Sequence, residues 1–136
     1  MPLLLITLLS LDPIPERILP DLAQIFLNQD AVAFQSLCDP SSRVEVDLRP
    51  MLLDRGFLSR DQTSLSFRRF ARVFETVAAQ ITEQKTDTNF ARLEMHLSLQ
   101  LQNRKNGHQQ QAGMVLQFKL KADRVVMIRW LLQKIH

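Results

Sequence analysis

"RLEMHLSLQLQNRKNGHQQQAGMVLQFKLK", Arg92 to Lys121, decides the fold. Leucine, methionine and phenylalanine recur at every second position on both sides of Asn106-Gly107, the dipeptide that most favours a two-residue type I′ hairpin loop. Centring the loop there pairs Leu93 with Leu120, Met95 with Phe118, Leu97 with Leu116, Leu99 with Met114 and Leu101 with Ala112. Every pair is apolar, and a slip by one residue would turn all of them to the wrong side. The opposite face then matches Glu94 with Lys119, His96 with Gln117 and Ser98 with Val115. A carboxylate beside a histidine could mark an active site, but this alternation puts both on the wet side of a sheet, where a surface role is the expectation.

Working outward, Ala122-Asp123-Arg124 is read as a three-residue loop into "VVMIRWLLQKI". Val126, Ile128, Trp130 and Leu132 are then expected on the apolar face, and Val125, Met127, Arg129 and Leu131 on the mixed one. Upstream, "VAAQITEQKT" from Val77 has strand character, so four strands form a meander. Before it, Ser59 and Gln62 have the spacing of a capping box and open a helix expected to run to about Thr76. Phe67, Phe70, Val73, Phe74 and Val77 form its apolar arc, with Arg68, Arg69 and Arg72 opposite. "RVEVDL" alternates as a half-buried strand, and Asp54-Arg55-Gly56 is read as a turn. Two short helices come first: one whose regular part begins near Pro20, and one capped by Asp30 and ended by Asp39-Pro40.

Composition narrows the classes. The chain has 136 residues, enough for one core, and its formal charge of +3 comes from basic residues spread along the sequence. Without clustering, no nucleic-acid partner is expected. Cys38 is the one cysteine, so no internal disulfide can form. His96, His108 and His136 lack ligand spacing, and three glycines leave no phosphate loop, so neither metal nor cofactor is expected. Leu3 to Leu11 is apolar but too short to span a bilayer. Residues 1–12 are read as a degenerate export signal or as an extension belonging to the mature protein, and 13–136 as a single α+β domain. The first option makes the protein exported, periplasmic or secreted; the second leaves it in the cytoplasm.

A curved antiparallel sheet whose apolar face is covered by two to three N-terminal helices is cone-shaped. At this point the chain resembles the nuclear transport factor two-like, or SnoaL-like, superfamily. The resemblance runs from Pro15 to Ile135 and is carried by "FLNQDAVAFQSLCDPSSRVEVDL", "RGFLSRDQTSLSFRRFARVF" and "RVVMIRWLLQKI". More narrowly, Gly56 to Gln62 is similar to the helix start of a small, typically exported bacterial family of unknown function, with Leu58 where an aromatic is common.

The superfamily holds isomerases, dehydratases, cyclases and protein-binding adaptors, so the fold does not choose a function. Its ketosteroid-isomerase-like members use an Asp base with Tyr and protonated Asp donors inside the cone. This chain has no tyrosine. The residues expected to line the cone, Phe70, Phe74, Met95, Leu97, Phe118 and Trp130, include no acid or base. The leading expectation is a non-enzymatic domain that binds an apolar small ligand in the cone or a protein partner through the sheet. The alternative is a cone-type lyase or isomerase whose acid is Asp47 or Asp54. On the outer face Val115, Val125, Met127 and Leu131 form apolar spots within a polar frame, and proteins resembling this fold often dimerise there, so a homodimer is expected.

Overall fold

Two aspartates start the two short helices. In the computed structural model, which describes residues 18–87, 89 and 91–135, Asp21 caps α1 (Leu22–Leu27) and Asp30 caps α2 (Ala31–Ser36). Asp30 accepts a hydrogen bond from the Ala33 N–H at 3.0 Å, satisfying one of the amides a helix start leaves open. Helices of six residues are unstable alone, so their anchors matter: Leu22, Phe26 and Phe34 are fully buried. The export reading of residues 1–12 lies outside the described residues.

β1 (Val44–Asp47) buries Val44 and Val46 as its alternation requires. Arg55-Gly56, read as part of a turn, instead opens β2 (Arg55–Leu58), antiparallel to β1. Gly56 sits there at φ +136°, a backbone state that side-chain-bearing residues rarely adopt. The capping box forms as expected: Ser59 Oγ accepts from the Gln62 N–H, and Gln62 Oε1 accepts from the Ser59 N–H. It opens α3 (Arg60–Val73), which stops before Thr76 because Phe74 turns extended and begins β3 (Phe74–Asp87) with no loop between. Phe74 still donates its N–H to the Phe70 carbonyl while its ring enters the core.

β4 (Arg92–Asn103), β5 (Gln109–Lys121) and β6 (Arg124–Ile135) complete a six-stranded sheet in the order β2-β1-β6-β5-β4-β3. All neighbours are antiparallel except β1 and β6, which run parallel with Val46 beside Trp130. The helices cover one face of this curved sheet, giving an α+β fold.

Register differs from expectation in three places, the last a bulge that pairs Gly113 with Lys134 after Met114 with Leu132. In the β4–β5 hairpin Leu93 faces Phe118, Met95 faces Leu116, Leu97 faces Met114 and Leu99 faces Ala112, a shift of two residues that keeps every side chain on its expected face. The loop is centred on Lys105-Asn106 because Asn103 closes it. Its side chain accepts from the Lys105 and Asn106 N–H groups, and its backbone accepts from Gly107, which takes φ +74°. The second difference changes faces. Between β5 and β6 the turn has two residues, Ala122 and Asp123, and a bulge falls between the pairs Gln117–Arg129 and Phe118–Met127. One extra residue reverses the alternation beyond it. Val125 and Met127, expected outside, therefore point into the core, with Met127 fully buried.

Candidate functional site

The six residues expected to line a ligand pocket, Phe70, Phe74, Met95, Leu97, Phe118 and Trp130, all belong to one buried cluster, and none is more than 4% exposed. Phe26, Phe34 and Phe67, supplied by the helices, fill the space in front of Trp130. Phe34 and Phe67 stack with ring centroids 4.2 Å apart, and Phe34 meets Trp130 edge-on at 4.8 Å. Phe26 touches the rings of Phe34, Phe67, Phe70 and Trp130. The indole N–H donates to the Met114 sulfur at 3.3 Å, so the one polar atom of this group is satisfied by a soft acceptor inside the core. These rings and the six residues expected to line a pocket pack against one another, each large side chain stabilising the fold by about 1.5–3 kcal/mol. Phe34 had no signal in the sequence beyond its place in a short helix.

Neither carboxylate considered as a catalytic acid points into this interior. Asp54 reaches from the β1–β2 loop to α3, where its Oδ2 accepts from Ser66 Oγ and Arg69 Nη2, both at 2.6 Å. Burial works to raise its pKa, but the bonds from Arg69 and Ser66 outweigh it and hold the acid below its ordinary value. Asp47 lies on the outer face, where a two-bonded fork from Arg49 lowers it to about 2. Asp39, buried in the α2–β1 loop, is held low by Lys121 Nζ at 2.6 Å and by the Ser41 amide and hydroxyl. Its contacts tie that loop to the β5–β6 hairpin. Burial pushes the Cys38 thiol up to about 11. Among the described residues no group of three or more His, Cys, Asp and Glu is placed to hold a metal ion, and no helix is long and apolar enough to cross a membrane.

The outer face is organised instead. Strand pairing aligns Phe57, Glu45, Arg129, Gln117, Glu94 and Lys85 in one row across all six strands. Most of the row is hydrogen-bonded. Arg129 donates to Glu45 at 3.2 Å and to Gln117 Oε1 at 3.3 Å; Gln117 donates onward to Glu94 Oε1 at 2.7 Å. Glu94 Oε2 meets His96 Nε2 at 2.8 Å, with Lys85 Nζ at 3.9 Å. The bonds from His96 and Gln117 lower the Glu94 pKa. The two-residue shift explains the partner: Glu94 faces Gln117, not Lys119.

The adjacent row runs Arg55, Asp47, Leu131, Val115, His96 and Glu83. Of the four residues expected to form an apolar outer patch, Val115 and Leu131 stand opposite each other here, whereas Val125 and Met127 are in the core. The bulge puts Val126 on the outer side in their place, paired with Lys119. Phe57, 68% exposed, extends the apolar surface on β2, which sequence reasoning missed because it read Gly56 as a turn.

The same architecture recurs in solved structures. A DUF4783 family protein from Bacteroides ovatus superposes with a TM-score of 0.67 at 10% identity, covering 88% of this chain and 97% of that one. Another from Bacteroides uniformis gives 0.67 at 8% identity, over 83% and 93%. A protein from Catenulispora acidiphila with a ketosteroid isomerase-like fold, in complex with trimethylamine, gives 0.65 at 11%, over 88% and 85%. The fold is the nuclear transport factor two-like cone. At such identities the likeness concerns the fold alone. No protein-family model and no curated protein matches the sequence. Within this cone the helices deliver phenylalanines to the interior, and the polar groups are ordered on the outside.

Proposed function

We propose that this cone works by binding rather than catalysis, through the outer face of its sheet, and that a second copy of the chain is its first partner. The observation behind the proposal is the partly exposed Leu131, backed by the nearly covered Val115 opposite it and seated beside a hydrogen-bonded polar row. Apolar spots inside a polar frame are the composition of an interface, and two-fold pairing lays such a patch on itself. Phe57 enlarges the patch, and the Glu94–Gln117–Arg129–Glu45 chain gives it register. A rigid polar row loses little freedom when it meets a partner.

Ligand capture inside the cone has less support, since Trp130 and three phenylalanines occupy that space. A lyase or isomerase built on Asp47 or Asp54 has less still. Both acids are bonded to arginines outside the core, and a carboxylate held low is a poor proton acceptor. Leu131→Glu tests the proposal, because it sets two like charges against each other across the two-fold while leaving the core untouched. Sedimentation at micromolar concentration is expected to give a wild-type dimer and a monomeric variant. A wild-type monomer there overturns the proposal.

A further inference from the structure

Beside the β2 edge of the outer face, the β1–β2 loop, β2 and α3 border an open groove of about 740 Å3, whose lining includes Leu52, Leu53, Asp54, Leu58, Leu65 and Arg69, with Arg55 at its rim. Leu52 and Leu58 pack onto the core at its floor, while Leu53 and Leu65 stand 89% and 52% exposed on its two walls. Single exposed leucines are ordinary, but here two exposed and two half-buried ones converge on one concavity. The walls are fixed. The capping box commits Gln62 to the start of α3, and Asp54 ties the loop to the helix through Ser66 and Arg69.

The charge of the groove is one-sided. Asp54 is its only lining carboxylate, and its side chain, 9% exposed, is already bonded to Ser66 and Arg69. Arg69 is half exposed, and Arg55 is exposed at the rim, near enough to Asp47 to help lower its pKa. Asp47, the acid across the strand pair from Arg55, is taken up by the Arg49 fork. Arg72, one turn on from Arg69 along α3, is exposed, and among the described residues no ion pair within 4.0 Å is recorded for it or for Arg55. An approaching segment therefore meets leucines below and guanidinium groups around them, and the one lining carboxylate, Asp54, is already bonded.

We propose that this groove docks an acidic amphipathic segment of a partner protein, apolar side chains entering between Leu53 and Leu65 and carboxylates reaching Arg55, Arg69 and Arg72. Arginine is suited to this because its planar fork grips a carboxylate with two bonds. A bilayer fits the shape less well. Its surface could take Leu53 at the loop tip but not the floor at Leu52 and Leu58, whereas a peptide side chain can reach it.

The test is fluorescence anisotropy on the full chain with labelled peptides that carry leucines at i, i+3, i+4 and i+7 and glutamates between them, against matched peptides with lysines. The glutamate peptides are expected to bind, more weakly as salt rises, and the lysine peptides not to bind. Leu53→Asp and Arg55→Glu, both at exposed positions, should each weaken binding about tenfold or more. Equal binding of both peptide sets, or no binding of either at 100 μM protein, overturns the proposal. So does retention on phosphatidylserine-containing vesicles that Leu53→Asp abolishes, which would make the groove a membrane contact. A dimer broken by Leu53→Asp rather than by Leu131→Glu would assign the groove to a second copy and would overturn it equally.

Discussion

The inner and outer faces of this sheet arise from the same alternation of residues, yet they hold themselves in different ways. On the inner face Leu93, Leu97, Leu99, Met114, Leu116 and Phe118 are buried without a charge among them, and contact is non-directional. On the outer face Glu45, Arg129, Gln117, Glu94 and His96 are joined by directed bonds of 2.7–3.3 Å and remain partly exposed. The inner face tolerates a two-residue register shift, since leucine against phenylalanine packs about as well as leucine against leucine. The outer face does not, because moving Glu94 from Lys119 to Gln117 exchanges one cross-strand ion pair for a chain of hydrogen bonds. Volume fixes one side, and donor–acceptor matching fixes the other.

That contrast can be broken most severely at Phe118. Phe118→Ala empties a fully buried site and is expected to cost about 3–5 kcal/mol in chemical denaturation, equally at pH 7 and pH 4. A loss below about 1 kcal/mol would mean that the inner face is not held by packing. Acid should instead act on the bonded carboxylates, Asp39 and Asp54 in the loops and Asp47 and Glu94 on the outer face. The folded pKa of Asp47 lies near 2, below its ordinary 3.8, and that of Glu94 is also lowered. Depressed carboxylates add stability above their unfolded pKa and lose it as pH falls through the folded one. The denaturation midpoint of the wild type is expected to fall between about pH 4 and pH 2, and Asp47→Asn to remove part of that drop. A pH-independent midpoint across this window would show that the arginine fork contributes nothing. The smallest effect is expected from Gln117→Val, which cuts the polar row but keeps strand character: within about 1 kcal/mol, read by the same denaturation. A loss as large as that of Phe118→Ala would mean the two faces are not held differently after all.

Much of this was legible in the sequence because period-two patterning is a strong local signal. The meander and the cone follow from it, and the caps at Asp30 and Ser59 follow from residue type and capping-box spacing. The failures came where one residue outweighs a pattern. Asn103, by capturing two amides, moves the hairpin loop off Asn106-Gly107. The bulge on β6 reverses the faces of Val125 and Met127, and nothing in a run as apolar as "VVMI" marks it. β2 has only four residues with a glycine at its second position, so its strand nature depends on β1 beside it. The parallel β1–β6 pair is a long-range event with no local trace. For the candidate site, Val115 and Leu131 were readable from alternation, whereas Phe57, Val126 and the leucine groove needed the three-dimensional arrangement.

The β1–β6 pair also bears on how the protein is made. Glu45 and Arg129 are 84 residues apart, and β1 lies in the sheet only once β6 is present to receive it. At ribosomal speeds of about 5–20 residues per second, roughly 4–17 s pass between the synthesis of these two residues. Through that interval Val44 and Val46 have β2 beside them on one edge and nothing of the sheet on the other. The newborn chain therefore carries an open, apolar strand edge until β6 emerges, and a holdase that shields such edges has access to it through that interval.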